Sequence, residues 1–455
     1  MAARSMRVGG WMVAVSLGVL LLSAPAMAGG ISLLEHSTKG LGVSFAGGIA
    51  ADEASTIFYN PAGLTRLQKP EAQAAGHVIF ITADFDDKGS SFNLPAAFGG
   101  GDMTGKQHTD AGETVFVPSF FASIPFTDRF VAGIGVHAPY GLATEYDDKW
   151  TGRYHAIKSE LITVNVNPSF GIKLTNWLSV GAGLSFQYAD AELTNAVDLG
   201  TIGALGGVPG AAPGNLDGKA KVTGDDWGYG WNAGVMISPT SRTRFGVNYR
   251  SEIDHTLEGN YKLNANDLGN AIAGGVGLQD KQDVEATVEL PETLSFQGYH
   301  EFNDQWAIMA DVTWTNYSRL NELVIELESG VDSTTTFGWD DTWRYALGIN
   351  YKPIQNLVIR AGGAYDESPV PNKRERTPRV PDDDRIWGSI GVGYTWFDRL
   401  TVDFSYAHLF IGDNVKIDKT AEVGDAGNEN FLRGNLVGEY EASADIVGLQ
   451  VRYLF

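Results

Sequence analysis

Four arginines stand at alternating positions of strand-like segments: Arg250, Arg344, Arg360 and Arg452. A guanidinium on the inner face of a closed sheet can do one of two things. It can pair with a carboxylate of the same face, such as Asp311 or Asp403, or its planar fork can meet the anionic headgroup of a ligand. Arg344 and Arg360 fall on neighbouring expected strands and lead the candidates for substrate binding, with Arg250 beside them. Covalent chemistry has little to work with. The chain has no cysteine, which excludes thiol redox chemistry and disulfides. No nucleophile elbow, His-Glu-x-x-His or phosphate-binding glycine loop lies in a suitable context. The histidines are scattered, and His77, His137, His300 and His408 sit in strand-like segments where imidazoles are more often structural. Composition does not exclude a barrel hydrolase with a Ser-His-carboxylate site, but no spacing proposes one. No enzyme activity, cofactor or metal is expected.

Arginines on one face require walls that alternate. Over 306–315, Trp306, Ile308, Ala310, Val312 and Trp314 share one face, and Ala307, Met309, Asp311, Thr313 and Thr315 share the other. The dyad recurs over 227–237, 343–351 and 400–407. An exported water-soluble β-protein with one buried face would also alternate. Three details favour a membrane barrel. Aromatic residues gather at strand ends (Trp177, Trp306, Trp314, Trp343, Trp396, Phe397), as interfacial girdles require. The polar face is rich in Gly, Asn, Thr and Ser, which suits a wet or ligand-filled lumen. Finally, the alternating end 447–455 closes on Phe455 and resembles the strand by which outer-membrane barrels are recognised by the barrel assembly machinery.

Compartment follows from the first residues. Arg4 and Arg7, an apolar run over 11–22 and Ala26-Met27-Ala28 have the grammar of a cleaved secretory signal over 1–28, leaving Gly29 first. Its loss would take the net charge from −22 to −24, so nucleic acid is not an expected partner. No later stretch is apolar for long enough to form a membrane helix, and lipid then admits only a closed barrel. Short turns alternate with long polar or Gly-rich loops, and strands from 71–83 to 438–455 number fourteen. The expected fold is all-β: a fourteen-stranded antiparallel transmembrane β-barrel over 71–455, in the outer membrane of a Gram-negative bacterium among its lipids.

Residues 40–64 break this pattern, being compact, rich in small residues and short of strands. They read as the centre of an N-terminal hatch over 29–70, lodged in the lumen. At Asn60-Pro-Ala-Gly63 the local reading is a turn: Pro61 fixes φ, Asn60 bonds its own backbone and Gly63 permits a left-handed step. Two outer loops, around 199–209 and 268–278, are apolar for segments facing water. They are either flexible filler or a landing surface for apolar solutes. Lys373-Arg-Glu-Arg376 with Asp382-Asp-Asp384 reads as a solvated, self-paired loop.

Together these residues resemble the FadL family of outer-membrane transporters for hydrophobic compounds. The likeness is carried by Gly40-Leu-Gly42, 51–55, Asn60-Pro-Ala62, 140–145, 227–234, 249–252, Asp366-Glu-Ser-Pro-Val-Pro371 and Pro381-Asp-Asp-Asp-Arg385, in that order. The resemblance implies a hatch gate that includes Gly40, Gly42, Asn60, Pro61, Ala62 and Gly63. It implies capture by apolar outer loops and contact of the ligand with Gly29 and Ile31 at the hatch N-terminus. It also implies a kink in the third strand that opens the wall sideways, here at Gly133, Gly135, His137 and Pro139, with Asn60-Pro-Ala62 beside it. Where fatty-acid-carrying members place basic side chains, this chain has Asn195 and Thr335. The expected function is passive uptake of long-chain fatty acids or similar hydrophobic molecules. The alternatives are uptake of monoaromatics or alkanes, a structural or adhesin barrel, and a lipid hydrolase.

Overall fold

The computed structural model describes residues 30–455; the expected signal segment and Gly29 lie outside the described residues. Fourteen strands are counted among the described residues, each antiparallel to its neighbours. The first seven are β1 (Glu71–Asp87), β2 (Thr114–Pro125), β3 (Phe130–His137, resuming as Gly141–Glu145), β4 (Lys158–Lys173), β5 (Leu178–Asp198), β6 (Asp217–Ile237) and β7 (Thr243–Arg250 with Ile253–Asn264). The next four are β8 (Lys281–Leu290 with Thr293–Glu301), β9 (Trp306–Thr315 with Glu322–Leu327), β10 (Ser333–Thr336 with Thr342–Ile354) and β11 (Leu357–Asp366). The last are β12 (Arg385–Trp396), β13 (Leu400–Lys419) and β14 (Leu436–Leu454). β14 closes on β1, from Glu71 facing Leu454 to Asp87 facing Gly438.

Side chains sort by parity. On β10, Trp343, Tyr345, Leu347 and Ile349 point outward, while Arg344, Ala346 and Asn350 are buried inside. An outer face this apolar suits lipid, and closure satisfies the backbone groups that lipid cannot. Tight turns join the strands at the end where β1 begins, and Phe397 and Asp398 take φ of 54° and 55° there, as a two-residue hairpin requires.

The barrel is filled. Residues 30–69 carry α1 (Thr38–Leu41), α2 (Thr56–Tyr59) and a 3-10 turn (Pro61–Arg66), and we call this segment the hatch. Ser37 caps α1 by accepting the Gly40 N–H, and Asn60 caps the 3-10 turn by accepting the Ala62 N–H, which leaves Pro61 at a position that needs no donor. The wall is thinned by glycine where the hatch touches it. A Cβ on Gly181 of β5 would run into the Pro61 carbonyl carbon, and one on Gly42 would meet the Gly391 backbone of β12 at 3.1 Å. Gly181→Ala is therefore expected to weaken hatch docking by about 1–3 kcal/mol. Limited proteolysis should cut the hatch faster while the barrel keeps its heat-resistant migration on gels; an unchanged cleavage rate would contradict the close fit.

At the other end, α3 (Leu199–Leu205) and α4 (Asp267–Gly275) occupy the two apolar loops. Leu199, Ile272 and Ala273 are buried in one cluster, so much of the expected landing surface turns inward. Leu205, Leu268 and Val276 stay exposed at its rim.

Candidate functional site

The wall has one break in its third strand. β3 pairs with β2 as far as Val136 facing Phe120, stops at His137, and resumes at Gly141 paired to β4. Pro139 stands inside the gap, where its missing N–H and fixed φ make continued pairing difficult. Beyond the gap, β3 presents an edge that β2 no longer covers. The hatch N-terminus takes that edge: the Leu33 N–H donates to the Pro139 carbonyl at 2.8 Å, and the Gly141 N–H donates to the Ile31 carbonyl at 2.9 Å. Ser32 faces Tyr140 between them as an antiparallel bridge. A short strand from the hatch thus replaces a strand of the wall.

The remaining gap candidates stand close by. A Cβ on Gly133 would meet Ile57 Cδ1 at 2.7 Å, and one on Gly135 would meet the Phe121 ring. His137 lies in an aromatic group with Phe58, Phe121 and His36, at ring-centroid distances of 5.0, 5.7 and 4.8 Å. Asn60-Pro-Ala62 is set differently from the expectation that it borders the break. It lies against β4 to β8, where the Asn60 amide reaches the carbonyls of Val235 and Val247 and Gln297 Oε1. The physical reason is that a short polar turn finds its partners in the polar groups of these strands, whereas the edge at the break is taken by Ile31–Leu33 and the hatch residues Ile57 and Leu64 pack at Gly133, earlier in β3. Gly40 and Gly63 pack within the hatch, against Phe45 and against Ala51 and Thr56 respectively.

The lumen arginines hold the hatch. Arg344 donates to the Ser44 carbonyl at 2.7 Å and Arg250 to the Phe58 carbonyl at 3.0 Å. Arg244 bonds the carbonyls of Ile49 and Ala50. Arg360 pairs with Asp403 at 2.7 Å, the plainer of the two expected roles. It faces Asn350 across the ladder, six residues along β10 from Arg344, so the two leading candidates do not converge. Arg250 and Arg344 do line a common cavity of about 90 Å³ with Ser32, Leu33, Pro139 and Tyr140. Its volume suits a few waters, and no long acyl chain fits until the hatch moves.

Above this cavity Ile31 is buried in an apolar cluster with Tyr140, Leu142, Tyr317, Phe337, Trp339 and Val380. Next to Phe337 and Val380 lies a feature the sequence reading missed. Thr335, Arg379, Lys419, Arg433 and His155 line a small cavity among the outer loops. Arg379 donates to Ser159 Oγ, and Arg433 to Ser333 Oγ and the Thr334 carbonyl; among the described residues neither forms a salt bridge to a carboxylate. Burial, with Arg433 beside it, pushes Arg379 down to about 9, and burial with the same Arg433 pushes His155 down to about 3. The Glu429 carboxylate lines the same cavity, and three cations to one carboxylate leave it favourable to a further anion.

The 373–384 loop departs from its expected solvated state. Its self-pairing is present, with Arg376 to Asp383 at 3.1 Å and Arg385 to Asp382 at 2.5 Å. Yet Arg376, Arg379 and Asp382 are all buried, because the loop folds into the mouth and Asp382 accepts the Gly30 N–H.

The family model for outer membrane protein transport proteins (OMPP1/FadL/TodX) matches residues 19–455. The chain belongs to this family. It is 33% identical over 426 residues to the long-chain fatty acid transport protein of Escherichia coli O6:H1, covering 89% of this chain and 91% of that one. A Pseudomonas aeruginosa FadL homologue of known crystal structure matches with a TM-score of 0.85 at 25% identity, over 94% of this chain and 100% of that chain. The P. putida toluene transporter TodX shares the fold, with a TM-score of 0.64 at 18% identity over 89% and 94% of the two chains. As a FadL-family barrel, the protein resides in the outer membrane, with its tight turns on the periplasmic side and its long loops outside. The departures from the family pattern can then be located. Asn195 gives its amide to the Ala196 carbonyl, while Thr335 lines the cavity that Arg379, Lys419 and Arg433 share.

Proposed function

We propose that the protein carries out passive uptake of long-chain fatty acids across the outer membrane, without a bond-making step. The loop cations hold the carboxylate, the acyl chain enters the apolar cluster around Ile31, and the displaced hatch N-terminus uncovers the break in β3. The observation that carries this reading is the Ile31–Leu33 strand on the free edge of β3: the same three residues line the ligand's path and seal its exit. Each buried methylene of the chain contributes about 0.8 kcal/mol, enough over several carbons to outweigh the two backbone hydrogen bonds that hold the strand, each worth about 1 kcal/mol. Monoaromatic or alkane uptake is the second reading, favoured by the neutral residues at Asn195 and Thr335.

The chain has no cysteine, so a lock can be built cleanly. Ser32 and Tyr140 face one another as bridge partners, a spacing that a disulfide accepts. In Ser32→Cys/Tyr140→Cys, oxidation is expected to abolish oleate uptake into proteoliposomes, and reduction to restore it. Uptake that continues through the oxidised protein would show that the strand need not leave.

A further inference from the structure

A second interruption crosses the wall away from β3. β8 breaks at 291–292, β9 at 316–321 and β10 at 337–341. The ladder between β8 and β9 stops where Thr293 faces Thr315 and resumes only where Ala286 faces Ile325, so 316–324 stand opposite 287–292 without strand pairing. A single 3-10 turn, Tyr317–Arg319, carries the wall there. Tyr317 and Leu320 are buried inside, in the apolar cluster that holds Ile31. Arg319 stays outside, 3.0 Å from Asp254 and 3.9 Å from Glu289.

The turn is fastened to the hatch. Its Tyr317 hydroxyl donates to Ser32 Oγ at 2.7 Å and accepts the Ser32 N–H at 3.3 Å. Tyr140, which faces Ser32 in the strand that seals β3, donates its hydroxyl at 2.7 Å to the carbonyl of Pro291, inside the break in β8. The cavity of about 90 Å³ reaches both breaks, with Pro139 and Tyr140 at one and Thr293, Thr315 and Tyr317 at the other. When Ser32 leaves Tyr140, the hatch therefore gives up its hold on Tyr317 as well.

We propose that this turn is a second side door, by which uncharged hydrocarbons held in the outer leaflet reach the Ile31 cluster without passing the loop cations. Its depth in the wall fits that route. Trp306 faces Tyr351 near the periplasmic turns, and Trp314 faces Trp343 further out. Such aromatic rows bracket the lipid-embedded part of a barrel, and the break begins directly beyond the outer row, where headgroups replace acyl chains. Charge selects the class of solute. Glu252, Asp254, Glu289 and Glu292 all stand close enough to Arg319 for their charges to act on it, which leaves the rim net negative. A net charge of about −2 at about 7 Å disfavours a carboxylate by roughly twofold to sevenfold, depending on salt, and an alkane not at all. Behind the rim, Leu290, Tyr317 and Leu320 offer an apolar surface.

The door leads to the Ile31 cluster, and so depends on that cluster holding the solute, as in the uptake route above. Because the chain has no cysteine, the door can be bridged alone. Glu289→Cys/Arg319→Cys removes one charge of each sign, and a short bis-methanethiosulfonate can replace the reach of the two side chains and be cut again by dithiothreitol. A hexadecane chain carrying a diazirine and an oleate carrying the same group are each dissolved in the lipid of proteoliposomes that hold the full-length protein. Light fixes each probe to what it touches, and mass spectrometry reads the labelling of Phe337 and Trp339 in the cluster. Bridging should remove most of the hydrocarbon's labelling there and lower that of the acid by less than about twofold, and dithiothreitol should restore the first. If the acid labels the cluster while the hydrocarbon ignores the bridge, the uptake route stands and the door falls. An equal loss for both probes overturns the door as well, because the turn then selects nothing. If neither probe labels the cluster in the unbridged protein, the route itself falls and takes the door with it.

Discussion

Asn60→Ala is expected to release the hatch from a barrel that stays folded. The Asn60 side chain is fully buried: its oxygen accepts the Ala62 N–H at 3.1 Å, and the two hydrogens of its amide are shared among Val235 O, Val247 O and Gln297 Oε1 at 3.3, 3.3 and 3.0 Å. Alanine removes the cap of the 3-10 turn and leaves an amide oxygen and two backbone carbonyls with fewer partners, in a place water does not reach. Cap loss and buried unsatisfied groups together should cost about 2–4 kcal/mol. The strands have no stake in that loss, since β6 and β7 remain paired from Asn232 facing Arg250 to Ile237 facing Phe245. Converted to populations, the undocked hatch becomes roughly 30- to 900-fold more frequent. Single-channel recordings should show long-lived openings, and amides of the hatch should exchange faster with solvent than those of the wall. A closed, fully protected hatch in Asn60→Ala would mean that the arginine contacts alone suffice to hold it.

Parity made the wall legible, because a period-two pattern is local and each strand repeats it. Arg250, Arg344 and Arg360 face the lumen, as their positions in the alternation require. What they bind was not legible. Arg344 has Asp366 at 4.0 Å, but its hydrogen bond goes to the Ser44 carbonyl, 300 residues away, and no backbone oxygen announces itself in a sequence. The break in β3 was signalled by Gly133, Gly135 and Pro139 close together, yet its occupant, Ser32, carries no pattern because a three-residue strand is too short to alternate. The loop around Arg379 misled for a different reason. Charged runs outside a barrel are usually solvated, and only the folding of Thr377-Pro-Arg-Val-Pro381 into the mouth, with Val380 in the apolar cluster, buries this one.

Replacing Arg379 and Arg433 together by glutamine should weaken oleate binding by roughly a hundredfold and leave hexadecane binding within a factor of about three, taking a charge-assisted hydrogen bond at about 1.5–3 kcal/mol. Arg379 is buried and Arg433 half-buried, and among the described residues neither forms a salt bridge to a carboxylate; Glu429, which lines the same cavity, reaches Lys419 at 3.9 Å and the Thr336 hydroxyl at 3.2 Å instead. A buried guanidinium without a salt-bridge partner gains from an anion, and a fatty-acid carboxylate brings two oxygens that match the guanidinium fork. Glutamine preserves length and some hydrogen bonding to Ser159, Ser333 and Thr334 but removes the charge. Because a buried cation without a salt bridge weakens the folded state, removing the Arg379 charge should not lower the melting point, and heat-resistant gel migration of the double variant checks that a loss of binding is not misfolding. The apolar cluster around Ile31, Phe337 and Trp339 is untouched, which is why a neutral alkane serves as the control. Isothermal titration with oleate and hexadecane reads both effects. Equal losses for the two ligands would make the cluster a structural element of the mouth. Unchanged oleate affinity would move the headgroup inward to Arg250 and Arg344, the two arginines that line the cavity beneath.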